Sequence, residues 1–378
     1  MAGAMILGMA VPAMADEAET IRIGFFAPVS APAAAADGQS SEQSAKLAVK
    51  LINDAGGIDG KQVELVNYDD ALDTAEAANI AEKLTTADDV VAVVSGSYSG
   101  PTKVAAPICQ DAGKLMISAY AVHPDVVNAG DLVFSQSFPG SVQGTAAAEF
   151  AATVLEAKKV AIVAVDLDFG TEQATYFKEK AAEYGMEIVS EDYIAISDND
   201  MTSVITKIKG EDVDLIYSVN YYEQASEVCR QVALQGLDCA ILGTEGADSW
   251  QLLETAGEYA NGLYITTNMN RDDQNENTQA YIENYRAEYS MEPDMVGASV
   301  YDAFQVLFAA IENAGTDTEA MKEYVAGMKD FDTVTGKLLY YNEAGSAVKP
   351  VQVQQVTDGE YHFAATIDDA AIIDPSNY

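Results

Sequence analysis

Short β-branched runs alternate with amphipathic helical stretches from residue 21 to about residue 310. That alternation confines the chain to stacked βαβ units with parallel sheets. Residues 21–27, 63–69, 90–95, 115–119, 160–165, 187–193, 215–219, 240–243 and 263–267 predict strands. Most are almost continuously apolar, as strands covered on both faces must be. Residues 44–55, 74–86, 171–184, 223–234 and 279–288 predict the helices between them. Gly56, Gly113, Gly185 and Gly236 stand where helices should stop, since glycine takes the left-handed C′ conformation without steric cost. One series runs from 21 to about 138, and a second starts with a helix over 141–155 and a strand at Val160. The fold class expected is therefore α/β, with two doubly wound parallel-sheet lobes. At 378 residues the chain exceeds one compact core and suits two. Beyond about 315 the pattern shortens, with turns at Asn342-Glu343-Ala344-Gly345 and Asp358-Gly359, which read as hairpins spanning the lobes.

Charge narrows the partners. Twenty Lys and Arg oppose sixty Asp and Glu, a formal charge of −40. A field of that sign repels DNA, RNA and anionic lipid, which argues against nucleic-acid binding. Residues 1–15 read as a secretory signal: an apolar stretch, Pro12, then Ala13-Met14-Ala15 before Asp16-Glu17. Its n-region is atypical, because no Lys or Arg precedes the apolar stretch. No later run reaches the ~18 apolar residues of a membrane span. Cys109 reads as a core thiol, and Cys229 and Cys239 could bridge in an oxidising compartment, although no spacing fixes their separation.

Enzyme chemistry finds no support in the motifs. Gly96-Ser97-Tyr98-Ser99-Gly100 has the outline of a nucleophile elbow, but Tyr98 stands where serine is required. No Gly-rich dinucleotide fingerprint follows a strand, and there is no P-loop lysine. His123 and His362 are too few and too scattered for a base or a metal cluster. No cofactor or metal is expected.

Open α/β sheets bind ligands at strand C-termini. After the strand at 90–95 come Tyr98, Ser99, Gly100, Pro101 and Thr102 at the start of a helix. Free N–H groups there, with the Ser99 and Thr102 hydroxyls, would cradle a carboxylate. Tyr120, Ala121 and Val122 follow the next strand and would line the same wall. In the second series Tyr221 opens a helix after one strand, and Glu245 follows the next strand between Thr244 and Gly246. Glu245 reads either as a solvated loop acid or as an acceptor for an ammonium group.

These pieces resemble the leucine/isoleucine/valine-binding protein family, type I periplasmic binding proteins of ABC importers. The resemblance rests on Ile23-Gly24-Phe25-Phe26-Ala27-Pro28-Val29-Ser30, on Ile52-Asn53-Asp54-Ala55-Gly56-Gly57-Ile58-Asp59-Gly60, and on Tyr68-Asp69-Asp70. Leu115-Met116-Ile117-Ser118, Glu245-Gly246 and Tyr301-Asp302-Ala303 continue it in order, covering nearly all of 20–356. It implies an N-terminal lobe of 20–138 plus 268–342 and a C-terminal lobe of 139–267 plus 343–378. Three crossings would join them, near 137–140, 267–270 and 342–350. The resemblance also implies Ser99 as the carboxylate-holding serine, Tyr120 and Val122 as further contacts, Tyr221 as an aromatic lid and Glu245 as the ammonium acceptor. It implies a small solute, a branched-chain or other hydrophobic amino acid by default, handed to an inner-membrane permease.

The chain departs from the family pattern at several of these positions. Val122 replaces the usual threonine, and small or acidic residues around Ala36 and Asp37 replace an aromatic. Tyr98 and Tyr120 reshape the side-chain pocket, which keeps open a sensor or importer component of the same fold that binds an amide, urea or an aromatic acid. Ala71 and Tyr98 stand where the leucine-type member has its disulfide.

Overall fold

The computed structural model describes residues 20–378; the signal-like segment at 1–15 lies outside the described residues. The first sheet holds β1 (Ile21–Ala27), β2 (Val63–Asp69), β3 (Ala92–Ser95), β4 (Leu115–Ser118) and β5 (Val133–Ser135). All run parallel, in the order β2-β1-β3-β4-β5. Helices α1 (Ala35–Asp54), α2 (Thr74–Thr86) and α3 (Ser99–Asp111) are its crossovers. The second sheet is built from β6 (Lys159–Val165), β7 (Glu187–Ile194), β8 (Leu215–Val219), β9 (Ala240–Gly243) and β10 (Tyr264–Thr267). Helices α4 (Gly140–Thr153), α5 (Asp168–Glu183), α6 (Thr202–Ile208), α7 (Tyr222–Gln235) and α8 (Trp250–Ala256) belong to this part.

The chain then returns. Helices α9 (Glu276–Tyr289), α10 (Met295–Ala314) and α11 (Thr318–Ala326) follow β10, and α9 and α10 pack on α1 of the first unit. A small antiparallel sheet of β11 (Lys329–Thr333), β12 (Gly336–Tyr341) and β13 (Ala347–Val348) follows, tied to β5 by a bridge between Ser135 and Ser346. Finally β14 (Val351–Thr357) and β15 (Glu360–Ile367) extend the second sheet antiparallel, giving β15-β14-β10-β9-β8-β6-β7. A last turn, α12 (Ala370–Ile373), lies against α4. The chain thus passes between the two sheets three times: before α4, after β10, and between β13 and β14.

Several boundaries differ from expectation for a physical reason. Helix α1 begins at Ala35 rather than near Ser44, because its first turns bury polar residues. Ser40 donates to Asp294 at 2.5 Å, and the Ser44 and Tyr281 hydroxyls meet at 3.0 Å. A helix face that packs through hydroxyls carries no apolar period to read. Strand β5, three residues long, lies below what patterning detects. Helix α10 is 20 residues long and apolar enough to cross a bilayer by composition, contrary to the expectation of no such run. It is instead the central core helix of the first unit, with Phe304 against Phe25 at 6.0 Å between ring centroids. All three cysteines are unpaired thiols, so Cys229 and Cys239 form no bridge in this structure. Burial pushes the Cys109 and Cys229 thiols up to about 12, which makes them inert core groups.

Candidate functional site

In each sheet the connections diverge beside the first strand, between β1 and β3 and between β6 and β8. At such switch points the loops leave in opposite directions and open a crevice at the strand C-termini. The two crevices face each other and share one cavity. From the first unit it is lined by Asp37, Tyr98, Ser99, Tyr120 and Val122, with Met295 and Val296 from the start of α10. From the second come Phe169, Tyr221, Glu245 and Gly246. The cavity measures about 20 Å³. That is room for about one water molecule, so the cleft is closed.

Ser99 is the first residue of α3 and Tyr98 its N-cap; no side chain caps the helix. The Ser99 hydroxyl accepts from the backbone N–H groups of Val122 and His123 at 3.2 and 3.3 Å. With its lone pairs so engaged, the capacity left to it is its own O–H donor. A donor beside an uncapped helix N-terminus favours an anionic group.

Glu245 enters from the end of β9 and is 3% exposed. Its Oε1 accepts from Gln143 Nε2 at 2.6 Å, while among the described residues its Oε2 has no hydrogen-bond partner. Burial pushes its carboxyl up to about 8, with Asp248 adding to the rise. The Gln143 hydrogen bond, the buried ammonium of Lys349 and the Ser137 hydroxyl pull it back. A buried acid with an unused oxygen gains most from a cation brought to it. Gly246 keeps the loop close: a Cβ there would lie 2.9 Å from the carbonyl oxygen of Asn220 and 3.0 Å from the Phe169 ring.

Between these polar ends runs a column of rings. Tyr98 stacks on Tyr221 at 4.8 Å and 4°, and Tyr221 stacks on Phe169 at 5.0 Å and 19°. Tyr120 meets Tyr98 edge-on at 6.2 Å and donates its hydroxyl to Gly96 O at 2.7 Å. The Tyr98–Tyr221 contact crosses from one lobe to the other. Asp37, on the first turn of α1, accepts from the Tyr98 hydroxyl at 2.6 Å. Outside the cavity Lys103 of α3 pairs with Asp168 of α5 at 2.7 Å, a second contact across the cleft.

Seven of the residues expected from sequence thus meet in one cavity: Asp37, Tyr98, Ser99, Tyr120, Val122, Tyr221 and Glu245. Gly100, Thr102 and Ala121 do not line it. Gly100 faces an outer groove with Pro101 and Leu72. Thr102 turns inward, its hydroxyl 2.7 Å from that of Ser95 and donating to Ser97 O. Ala121 points into the opposite apolar cluster with Phe26 and Val126. Phe169, Gly246, Met295 and Val296 had not been anticipated. Phe169 lies in the first turn of α5, four residues beyond β6 as Ser99 is beyond β3, so the strand-end rule that identified Ser99 would have found it. Met295 and Val296 reach the site only through the fold.

Two doubly wound lobes closing a polar and aromatic cavity between their strand ends define a cleft-type solute-binding protein. A family model described as periplasmic binding protein matches residues 20–360. The leucine-, isoleucine-, valine-, threonine- and alanine-binding protein of Pseudomonas aeruginosa is 30% identical over 88% of each chain. The Leu/Ile/Val-binding protein of Escherichia coli is 28% identical over 90% of this chain and 91% of its own. Among solved structures, the branched-chain amino acid transporter substrate binding protein of Streptococcus pneumoniae in complex with isoleucine superposes with a TM-score of 0.84. It shares 32% identity, covering 92% of this chain and 99% of that one. The chain belongs to the periplasmic binding protein family.

Proposed function

We propose that this protein is the extracytoplasmic substrate-binding component of an ABC importer, capturing an amino acid by cleft closure and presenting it to an inner-membrane permease. One observation carries the reading: an unpartnered oxygen of buried Glu245 shares a cavity with the Ser99 hydroxyl and the uncapped start of α3. An acid from one lobe and a donor set from the other match the two ends of a zwitterion. The names of the relatives, which include leucine, isoleucine and valine, support the same class of ligand. Segments 20–138 with 268–350, and 139–267 with 351–378, serve as the two moving lobes; the last boundary falls after β13, which pairs with β12 of the first unit, rather than at the expected 342. The ligand docks on Ser99 and Tyr120, and closure then brings Tyr221 and Glu245. A cavity of about 20 Å³ admits no amino acid unless the lobes part, so hinge motion is part of the function.

Thermal melts against the twenty amino acids test this. A ligand at about a thousandfold its Kd stabilises by about 4 kcal/mol and raises the melting point by on the order of 5 °C. A shift with benzoate or urea and none with any amino acid would overturn the assignment.

Glu245 adds a pH signature. Below about 8 its carboxyl is held neutral, and accepting an ammonium group requires the carboxylate. Binding therefore expels a proton, and affinity rises with pH up to about 8 and then levels. Calorimetry at pH 7 in buffers of different ionisation enthalpy is expected to find about one proton released per ligand. Zero release, with affinity flat from pH 6 to 8, would contradict it.

A further inference from the structure

Glu245 answers the ligand ammonium, and Ser99 with the start of α3 answers the carboxylate. The cavity holds a second acid that neither end of a zwitterion needs. Asp37 is 6% exposed and reaches the cavity from the lobe opposite Glu245. Its Oδ2 accepts from the Tyr98 hydroxyl, and among the described residues lining the cavity none is lysine or arginine. Around it stand Tyr98, Tyr120, Met295 and Val296 of the same lobe, faced by Tyr221 and Phe169 of the other. Resting on the amino-acid reading above, we propose that Asp37 makes this site select amino acids whose side chain ends in an N–H donor, amide or cationic, over aliphatic ones of equal length.

The physical case is a matter of what each side chain leaves unpaired. A carboxyl in an aromatic wall is costly unless its oxygens are used, and Tyr98 uses one of them. An aliphatic side chain completes the burial and returns no hydrogen bond. A side-chain N–H restores the lost hydration, and a cationic one also gains from the ring faces beside it. Burial and the nearby Asp294 carboxylate already push Asp37 up to about 7, with Tyr98 pulling it down and Glu223 adding to the rise. Positive charge is what this corner lacks. Sites built around a buried polar group reject ligands without the matching group more strongly than they sort apolar ones by size.

Isosteric pairs test the idea: leucine with asparagine, and norleucine with ornithine. By calorimetry on the ligand-stripped full chain, at least one donor-bearing member is expected to bind about tenfold or more tighter than its aliphatic partner. In Asp37→Ala the ratio should fall to within about twofold. If Asp37 only held the Tyr98 ring, Asp37→Ala would weaken both members alike, and that result overturns the proposal. Preference for the aliphatic member in both native pairs, with binding still lost in Glu245→Gln, overturns it too while leaving the amino-acid reading standing. Binding of none of the four overturns both.

Discussion

Glu245→Ala is expected to weaken amino-acid binding by about 2–5 kcal/mol, a loss of roughly thirty- to several-thousand-fold. The cost arises from stranding. In the closed cleft the ligand ammonium loses its water, and the acid is the group placed to replace it. Gln143 loses its shorter hydrogen bond as well, since its Nε2 donates to Glu245 at 2.6 Å and to the Phe138 carbonyl only at 3.4 Å. Glu245→Gln separates charge from shape. It keeps the volume and an oxygen for Gln143, so any loss it shows is electrostatic. The same substitution should not harm the empty protein. A carboxyl raised to about 8 binds more protons folded than unfolded, so its contribution to stability is full below about 4.5 and is lost as pH rises through about 8. Above that pH the ligand-free Gln variant is therefore expected to melt no lower than the parent. A site residue that costs stability where it is ionised and supplies affinity is the usual compromise of binding sites. Calorimetry on the Ala and Gln variants, with melts at pH 7 and pH 9, reads both effects. Unchanged affinity in Glu245→Ala would remove the residue from the site.

What the sequence disclosed about the fold follows from burial. Strands β8 and β9 have the limits expected of them, because a strand covered on both faces is a largely apolar run with polar or glycine ends. Helix α1 hid its start because Asp37, Ser40, Ser41 and Ser44 are buried in contact with other polar groups or the cavity, and burial of that kind leaves no mark in hydropathy. The site divides in a similar way. Tyr98, Ser99, Tyr221 and Glu245 each lie within about four residues of a strand's C-terminal end, on the loop or first helical residue that opens onto the crevice. Thr102 lies one helical turn further along, and a turn of α3 carries its hydroxyl back to Ser95. Ala121 lies between Tyr120 and Val122 and points to the opposite face. Met295 and Val296 are remote in sequence from the other lining residues, and only the return of α10 to the first unit brings them to the cavity.

Arg271→Met is expected to destabilise the protein by about 3–5 kcal/mol, the size associated with breaking one side of a buried ion pair. Arg271 lies just beyond β10, on the second crossing between the lobes. Its guanidinium donates to Asp248 at 2.5 Å and to the Pro293 carbonyl at 3.3 Å, and sits 4.5 Å from the Tyr361 ring centroid. The Asp248 side chain is wholly buried, and Thr267 donates to its other oxygen. Removing the arginine leaves that carboxylate without its cation, three residues along the same loop from Glu245. Two consequences should appear together: a lower midpoint in urea, and weaker ligand binding because Glu245 loses its support. Adding Asp248→Leu to Arg271→Met removes the stranded charge, and the double variant should recover a large part of the lost stability. A double variant whose loss equals the sum of the two single losses would show that the pair is not coupled. In that case Arg271 holds the crossing through Pro293 and Tyr361 alone, and the Asp248 loop does not depend on it.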